Sequence, residues 1–238
     1  MIGPYVRDPR VQAFASIFHF GCLGEEKRLD DVVQEARKLR QSGLNIEAFD
    51  CEANMLEAAR DVLGGFVKLH VPIGYPAGNA TRKQKMFQLE YLLGQVVDDS
   101  CYCLDYANLV DGDWDAVTTE TRQVMALCDD RLPMAMVIQA TLLNDRQIVA
   151  ACEAILQGGG NRVKVNTGYG WGTSLEEVDL LHRHFNGRLD IHPSGNVRSL
   201  AQVDHYLSLG ICIVHSASVF EIVAEYAARL GLSETKGA

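Results

Sequence analysis

Short apolar runs alternate along the chain with longer segments in which apolar residues recur every three to four positions. The short runs predict β-strands, and the longer segments predict amphipathic helices. Alternation of the two is typical of α/β proteins built on a parallel sheet. Eight strands are predicted, at Ala15–Phe20, Asn45–Asp50, Phe66–Val71, Ser100–Asp105, Met134–Gln139, Arg162–Asn166, Leu189–His192 and Ile211–His215.

Helices are predicted between these strands, and several of them follow a residue that suits a helix N-cap. The predicted helices include Arg28–Gln41, Thr81–Val97, Trp114–Cys128, Asp145–Leu156, Ser174–Phe185 and Leu200–Leu209. Thr81, Asn144, Thr173 and Ser199 are the predicted N-cap residues, because short oxygen-bearing side chains bind the first free backbone N–H groups. Glu176 follows Thr173 at the spacing of a capping box.

The number of strand-and-helix units decides between two α/β architectures. Eight units in 238 residues suit a closed barrel, so we predict an α/β fold of the (β/α)₈ TIM barrel type, with one domain over residues 1–238. The alternative is an open, doubly wound sheet. Against it, no Gly-x-Gly-x-x-Gly follows the first strand, and the Gly158–Gly160 run stands where a helix ends.

Charge and cysteine content exclude several classes of partner. The net charge of −9 without a basic patch argues against binding nucleic acid or an anionic membrane. No run approaches the ~18 apolar residues of a membrane span and no signal segment is visible, so a cytoplasmic enzyme is expected. The seven cysteines lack disulfide or zinc spacing, and Cys101 and Cys103 are interpreted as reduced structural thiols.

Polar residues at predicted strand ends are the candidates for chemistry, because these ends carry the active site of a barrel. They are Asp50, His70, Asp105, Gln139, Lys164, Asn166, His192 and His215. Lys164 lies inside the apolar run Val163–Val165, and alternation along the strand turns its side chain toward the lumen. Burial is expected to lower its pKa toward the range in which a neutral amine attacks a carbonyl. A buried, salt-bridged structural lysine remains the alternative.

Five ordered motifs resemble those of deoxyribose-phosphate aldolases. The run from Val163 to Tyr169 is similar to that family's Schiff-base strand, and Ile73–Thr81 is similar to its Gly-Phe-Pro segment after strand three. The other three matches are Leu109–Trp114, Leu142–Asp145 and Ser194–Arg198. The resemblance implies a class I aldolase in which Lys164 forms the imine.

The relay that the resemblance implies is only partly conserved. Its second lysine falls on His192, and its aspartate falls on Cys101, with Asp105 four residues later as the replacement. We therefore predict Lys164, His192 and Asp105 as catalytic residues. Because a neutral His192 supplies less positive field than a lysine, we expect imine chemistry with a more alkaline optimum.

Substrate contacts and phosphate binding are implied less completely. The predicted substrate-binding residues are Asp50, Cys101, Gln139, Asn166, Gly168, Ser194, Gly195 and Ser218. Gly168, Gly195 and Ser218 retain parts of the family's phosphate site, whereas Asn196 replaces its second glycine, so a nonphosphorylated substrate stays open. His70 and His215 replace small family residues, and they either shape the pocket or fill space.

The sequence thus predicts a lyase acting on a small carbonyl compound, a sugar phosphate being one candidate. No cofactor or metal is expected, because the protonated imine is itself the electron sink. A homodimer is expected from the family analogy alone. Two alternatives remain: a noncatalytic sugar-phosphate-binding or regulatory barrel, and an isomerase or dehydratase that uses acid–base groups without an imine.

Overall fold

The computed structural model describes residues 3–24, 26–170 and 172–232, with Pro4 described in its backbone only. Its eight strands are β1 (Phe18–Gly21), β2 (Ala48–Asp50), β3 (Lys68–Ile73), β4 (Asp99–Cys103), β5 (Met134–Val137), β6 (Arg162–Lys164), β7 (Asp190–His192) and β8 (Val214–Ser216). Its helices are α1 (Pro9–Ala15), α2 (Leu29–Ser42), α3 (Leu56–Leu63), α4 (Arg82–Leu93), α5 (Tyr106–Asp111), α6 (Trp114–Cys128), α7 (Asp145–Gln157), α8 (Leu175–Phe185), α9 (Leu200–Ser208) and α10 (Val219–Arg229).

All seven strand ladders are parallel, and each strand lies beside its sequence neighbour, with β8 returning to β1. The remaining seam, between β7 and β8, is crossed by the hydrogen bond from His215 N to Pro193 O, 2.9 Å long. The sheet therefore forms a nearly closed barrel with helices outside it, and the predicted (β/α)₈ fold is confirmed. The predicted strands are all present with shifted ends.

Helix starts follow the predicted capping chemistry with one exception. Thr81, Asn144 and Ser199 each cap a helix in a capping box. The prediction for Thr173 was wrong, because α8 is capped by Ser174 with Glu177 as the reciprocal partner. The Thr173 hydroxyl instead donates to Ser194 O and joins the loops that follow β6 and β7.

Strand alternation separates an apolar layer from a polar lumen. On β1, Phe18 and Phe20 are buried in the apolar core shared with the helices, whereas His19 lies between them in the sequence. Polar side chains on six strands meet in the lumen, which is the reverse of the branched apolar filling usual in such barrels. They are His19, Asp50, His70, Lys164, His192 and His215, all nearly inaccessible to solvent.

A buried ion pair lies outside the lumen, between α4 and α6. Lys85 Nζ is 2.8 Å from Glu120 Oε1, and it also donates to the carbonyls of Gly78 and Cys103. Glu120 in turn accepts hydrogen bonds from Tyr102 OH and the backbone N–H of Asp105. The pair thus fixes the two loops that follow β3 and β4.

Candidate active site

A cleft of about 500 Å³ opens at the carboxyl ends of the strands. Lys164 and Asp50 line it, and loops after β1, β3, β6, β7 and β8 form its walls. Those walls include Gly21, Lys27, Tyr75, Gly168, Gly195, Arg198 and Ser216. This is the end of the barrel at which such folds carry chemistry.

Lys164 ends β6 and is only 3 % exposed. Its register neighbour on β7 is His192, and its Nζ lies 3.7 Å from Asp50 Oδ2 across the lumen. Burial acts to lower the pKa of Lys164, but Cys101 and Asp50 outweigh it and raise that pKa above its ordinary value. Asp50 carries the negative charge at neutral pH, because burial raises the pKa of the Cys101 thiol. The expected lowering of the Lys164 pKa was therefore wrong, and the resting group is an ammonium.

Asp50 is the centre of the lumen network and is 1 % exposed. Its Oδ1 lies 3.1 Å from His19 Nδ1 and 3.4 Å from His70 Nδ1, and its Oδ2 lies 2.8 Å from His215 Nδ1. Burial favours the protonated acid, but the imidazoles of His70, His215 and His19 outweigh it and hold the pKa of Asp50 well below its ordinary value. A carboxylate predicted to contact substrate thus faces the imine candidate directly.

A row of side chains leads from Asp50 toward the amino ends of the strands. His215 Nε2 lies 3.4 Å from His192 Nδ1, and His192 Nε2 lies 2.9 Å from Asp190 Oδ2. Burial lowers the pKa of both His215 and His192, so both imidazoles are mainly neutral near pH 7. A neutral imidazole can accept a proton.

Asp105 is not brought to this cleft. β4 ends at Cys103, and the Asp105 carboxylate accepts a hydrogen bond from Ala107 N as the N-cap of α5. Its acceptor oxygen therefore caps a helix, which argues against the prediction that Asp105 is a catalytic residue replacing the family aspartate. Cys101 is buried in the lumen with Cys103, among Ala135 and Val137.

Gln139 and Asn166 are buried, and their side chains hold loops. Gln139 Oε1 accepts hydrogen bonds from the backbone and hydroxyl of Thr167, each 3.0 Å long. Asn166 accepts from Thr141 N and donates to Thr173 and Glu177. Both residues position the segment after Lys164, which is a different role from the predicted substrate contact.

Two glycines at the cleft wall allow neighbouring loops to touch. Gly195 has φ +89°, and a Cβ there would lie 2.7 Å from Gly168 N. Both glycines and Ser194 line the cleft, and Ser194 also donates to Asn166 O. The predicted Ser218 is the N-cap position before α10 and donates its backbone N–H to Ser216 Oγ, while Ser216 and Ala217 line the cleft.

Sequence reasoning missed His19 and Tyr75. A polar residue between Phe18 and Phe20 carries the same signal that singled out Lys164, so alternation could have found His19. Tyr75 lies in a recognised motif, and its hydroxyl donates to Thr167 O over the cleft.

Sequence comparison finds deoxyribose-phosphate aldolases among curated proteins. One from Streptococcus pyogenes serotype M4 is 22% identical over 178 residues, covering 74% of this chain and 79% of that protein. One from Streptococcus agalactiae serotype Ia is 22% identical over 172 residues, covering 72% and 77% of the two chains. No protein-family model matches the chain.

Solved structures of aldolases share the fold. A protein described as QR15, an aldolase, superposes with a TM-score of 0.83 at 20% identity, covering 92% of this chain and 97% of its own. Deoxyribose phosphate aldolase from Aeropyrum pernix, described as tetrameric, gives a TM-score of 0.77 at 17% identity, covering 92% and 93%.

Fold and cleft together define a parallel α/β barrel with a lysine at the carboxyl end of its sixth strand. The chain is a divergent relative of the deoxyribose-phosphate aldolases, as its motifs indicated, and its relatives support an enzyme of the carbon–carbon lyase class. No helix within the described ranges is long and apolar enough to cross a membrane.

Proposed function

We propose that this protein is a class I aldolase in which Lys164 forms an imine with a small aldehyde or ketone. The observation that carries the proposal is the position of Lys164, buried beneath the cleft with its Nζ 3.7 Å from the Asp50 carboxylate. A buried lysine with a purely structural role would lower the stability of the fold, because an apolar residue of similar size fills the same space without desolvating a charge.

The chemistry follows from the nature of the amine. Neutral Lys164 Nζ adds to the substrate carbonyl, and the carbinolamine loses water to give a protonated imine. A base then removes the proton of the hydroxyl on the β carbon, the bond between the α and β carbons breaks, its electron pair enters the enamine, and the other fragment leaves as an aldehyde. Protonation of the enamine carbon and hydrolysis return the free lysine.

Proton transfer is assigned to groups that lie beside Lys164. Asp50 relays the proton that the ammonium loses before attack, and His215 shares that proton through its 2.8 Å contact with Asp50 Oδ2. Because the pKa of Lys164 is raised and that of Asp50 is lowered, this transfer is uphill near neutrality. His192, the register neighbour of Lys164, serves the later protonation steps. Asp50 thereby takes the role that the sequence suggested for Asp105.

The substrate end of the cleft suits a polar or anionic group. Arg198 and Lys27 line it together with Gly168 and Gly195, and the Glu26 carboxylate, 4.0 Å from Lys27 Nζ, lines the same wall. A sugar phosphate is therefore the first substrate class to test, with its nonphosphorylated analogue beside it. The relatives named deoxyribose-phosphate aldolase point to deoxyribose 5-phosphate as the first compound.

Borohydride trapping tests the proposal. The protein is incubated with phosphorylated and free aldehydes and ketones, reduced, and mapped by peptide mass spectrometry. We expect a substrate-sized adduct on Lys164 that is absent in Lys164→Met. Lys27→Met is the matched control, because Lys27 lines the same cleft but is partly exposed. An adduct on Lys27 alone, or none with any carbonyl compound, would reject the assignment.

The row of neutral imidazoles favours one alternative, an acid–base isomerase or dehydratase without a covalent step. That function would use His192, His215 and Asp50 directly. Full turnover by Lys164→Met of a substrate processed by the unmodified protein would establish it and exclude the aldolase mechanism.

A further inference from the structure

Three imidazoles direct the same ring nitrogen at one carboxylate. The Nδ1 atoms of His19, His70 and His215 lie 3.1, 3.4 and 2.8 Å from the oxygens of Asp50. One ligand atom each from His19, Asp50 and His215 falls within a common 4.8 Å, and all three side chains are buried. Four of the seven histidines in the chain meet in this lumen, and the proposed imine chemistry assigns no role to two of them, His19 and His70.

The row of side chains from Asp50 to Asp190 has three hydrogen-bond contacts but only two hydrogens to fill them. Its three contacts join Asp50 to His215, His215 to His192, and His192 to Asp190. Each contact needs one hydrogen, whereas two neutral imidazoles carry one N–H each. If both histidines donate to their carboxylates, His215 Nε2 and His192 Nδ1 face each other with two lone pairs across 3.4 Å. One further positive charge, either a proton or a metal ion, would complete the hydrogen bonds of the row.

His70 provides an independent indication. Its Nδ1 is buried and makes no hydrogen bond to any described residue, although Asp50 Oδ1 is 3.4 Å away. A buried polar nitrogen without a partner costs about 1–3 kcal/mol and calls for an explanation. An added proton on His215 would complete the row but would leave this nitrogen unsatisfied. An ion at the Asp50 carboxylate would accept lone pairs from several imidazoles at once.

We propose that His19, Asp50 and His215 bind one divalent transition-metal ion of the zinc class, with the buried Nδ1 of His70 3.4 Å from the same carboxylate. Donors about 2.1 Å from a tetrahedral ion lie roughly 3.4 Å from one another. Here the Nδ1 atoms of His19 and His215 lie 3.1 and 2.8 Å from the Asp50 oxygens, and one ligand atom from each of the three residues lies within 4.8 Å of the other two. Imidazole nitrogen with one carboxylate suits zinc and its neighbours, whereas magnesium and calcium prefer oxygen.

Metal binding also completes the surrounding hydrogen bonds. With the lone pair of His215 Nδ1 on the ion, its Nε2–H donates to His192 Nδ1, and His192 Nε2–H donates to Asp190. A ligating histidine commonly gives its other N–H to such a partner. His19 Nε2 similarly faces Asp99 Oδ2, 3.9 Å away.

The ion is not a cofactor of the imine chemistry. In a zinc-loaded chain the Asp50 carboxylate is engaged by the ion and cannot accept the Lys164 proton, so zinc acts as an inhibitor; this consequence rests on the proposed function. Binding itself is measured without substrate, and imine trapping is measured on chelator-stripped protein. Failure of one proposal therefore leaves the other standing.

Metal analysis of the purified full chain is the test. The protein is stripped with a chelator, dialysed against Zn²⁺, passed through a desalting column and analysed for zinc per chain. We expect about one equivalent in the unmodified protein and in His205→Gln, a histidine paired with Asp179 away from the lumen. Asp50→Ala and His215→Ala should bind Zn²⁺ at least about 100-fold more weakly, since loss of an outer partner alone typically costs 10–100-fold.

A spectroscopic titration keeps the proposal testable if those variants do not fold. Co²⁺ added to the unmodified protein should give the visible absorption of nitrogen-coordinated cobalt, which Zn²⁺ abolishes and Mg²⁺ does not. Failure to retain zinc, equal retention by folded Asp50→Ala, or a cobalt spectrum unchanged from that in buffer would each overturn the proposal.

Discussion

The charge on Lys164 depends on its contact with Asp50. The Asp50 carboxylate lies 3.7 Å from Lys164 Nζ and, together with Cys101, raises the pKa of the lysine, while contacts with imidazoles of three other strands keep Asp50 anionic. A lysine whose pKa is raised keeps its proton near neutrality, and only its neutral form attacks a carbonyl. The pH dependence of imine formation should therefore report this one ion pair.

We predict that imine trapping in metal-stripped protein accelerates with rising pH above neutrality. The neutral fraction of an amine grows about tenfold per pH unit below its pKa. Asp50→Asn removes the carboxylate charge that raises the pKa of Lys164, so the activating limb should move to lower pH by at least about one unit. The rate of borohydride-trapped adduct is measured against pH, with His205→Gln as control. A limb below neutrality in the unmodified protein would contradict this expectation.

The sequence was sufficient to select Lys164 and Asp50 as candidate site residues, but it was not sufficient to predict which residues contact them. A lysine inside an apolar run and an aspartate at a strand end are visible in one sequence. Which groups meet across the lumen depends on the stagger of strands that are far apart in the chain. Asp105 was misjudged for a local reason, since its strand ends two residues earlier and a helix begins there.

Among the elements, α4 and α6 are tied by the buried Lys85–Glu120 pair. Removing one partner would leave a charge buried without compensation, which typically costs 3–5 kcal/mol. We predict that Lys85→Ala lowers the free energy of unfolding by about that amount in urea titration. Arg229→Ala, which breaks the exposed Arg229–Asp204 pair, should cost less than about 1 kcal/mol. Similar losses for the two variants would argue against a special role for the buried pair.

The contact between the loops after β6 and β7 gives a second prediction at this scale. In Gly195→Ala, the alanine must adopt a left-handed backbone conformation and must also displace Gly168, whose N lies 2.7 Å from the added Cβ. Gly210→Ala, at φ +78° with open space around it, isolates the left-handed cost of about 1 kcal/mol. We expect Gly195→Ala to destabilise the protein more than Gly210→Ala in the same titration. Equal effects would show that the loops separate without cost.

Element order was predictable because apolar periodicity is local, whereas helix starts depend on geometry. Thr173 and Ser174 offer the same chemistry one residue apart, each with a glutamate three positions on. The link from Thr173 to Ser194, which is distant in sequence, leaves Ser174 to cap α8.

At the scale of the whole molecule, the polar lumen makes stability depend on pH. Burial lowers the pKa of His70, His192 and His215 in the folded chain, whereas the unfolded chain titrates near 6.5. Below about pH 6.5 the unfolded chain therefore binds protons that the folded chain does not, and stability falls as pH falls. The contribution is fully present above that pH.

We predict a loss of at least about 2 kcal/mol in the free energy of unfolding between about pH 7.5 and pH 5.5, since each such group contributes up to about 1.4 kcal/mol per pH unit. Urea titrations with a chelator present measure it. His70→Gln should flatten the dependence, and His184→Gln, on the exposed face of α8, should not. A stability that is constant over this range would contradict the burial of neutral imidazoles.

The barrel fold could be predicted from eight repeats of one sequence pattern, but the ionisable content of its interior could not. Periodicity predicts that alternate residues face inward, and most barrels fill that space with apolar side chains. Here the inward positions are ionisable, and their mutual charges become apparent only when six strands are placed together.

The seam between β7 and β8, which has no strand ladder among the described residues, has a consequence for motion. His192 and His215 stand on either side of it, and β8 is held by its ladder to β1. Local opening there would separate the two imidazoles while the other seven ladders stay intact, so it is the least costly route by which solvent reaches the interior. Amide hydrogen exchange should accordingly be faster at His215 than at the amides of β4 and β5, because local opening occurs at the seam between β7 and β8.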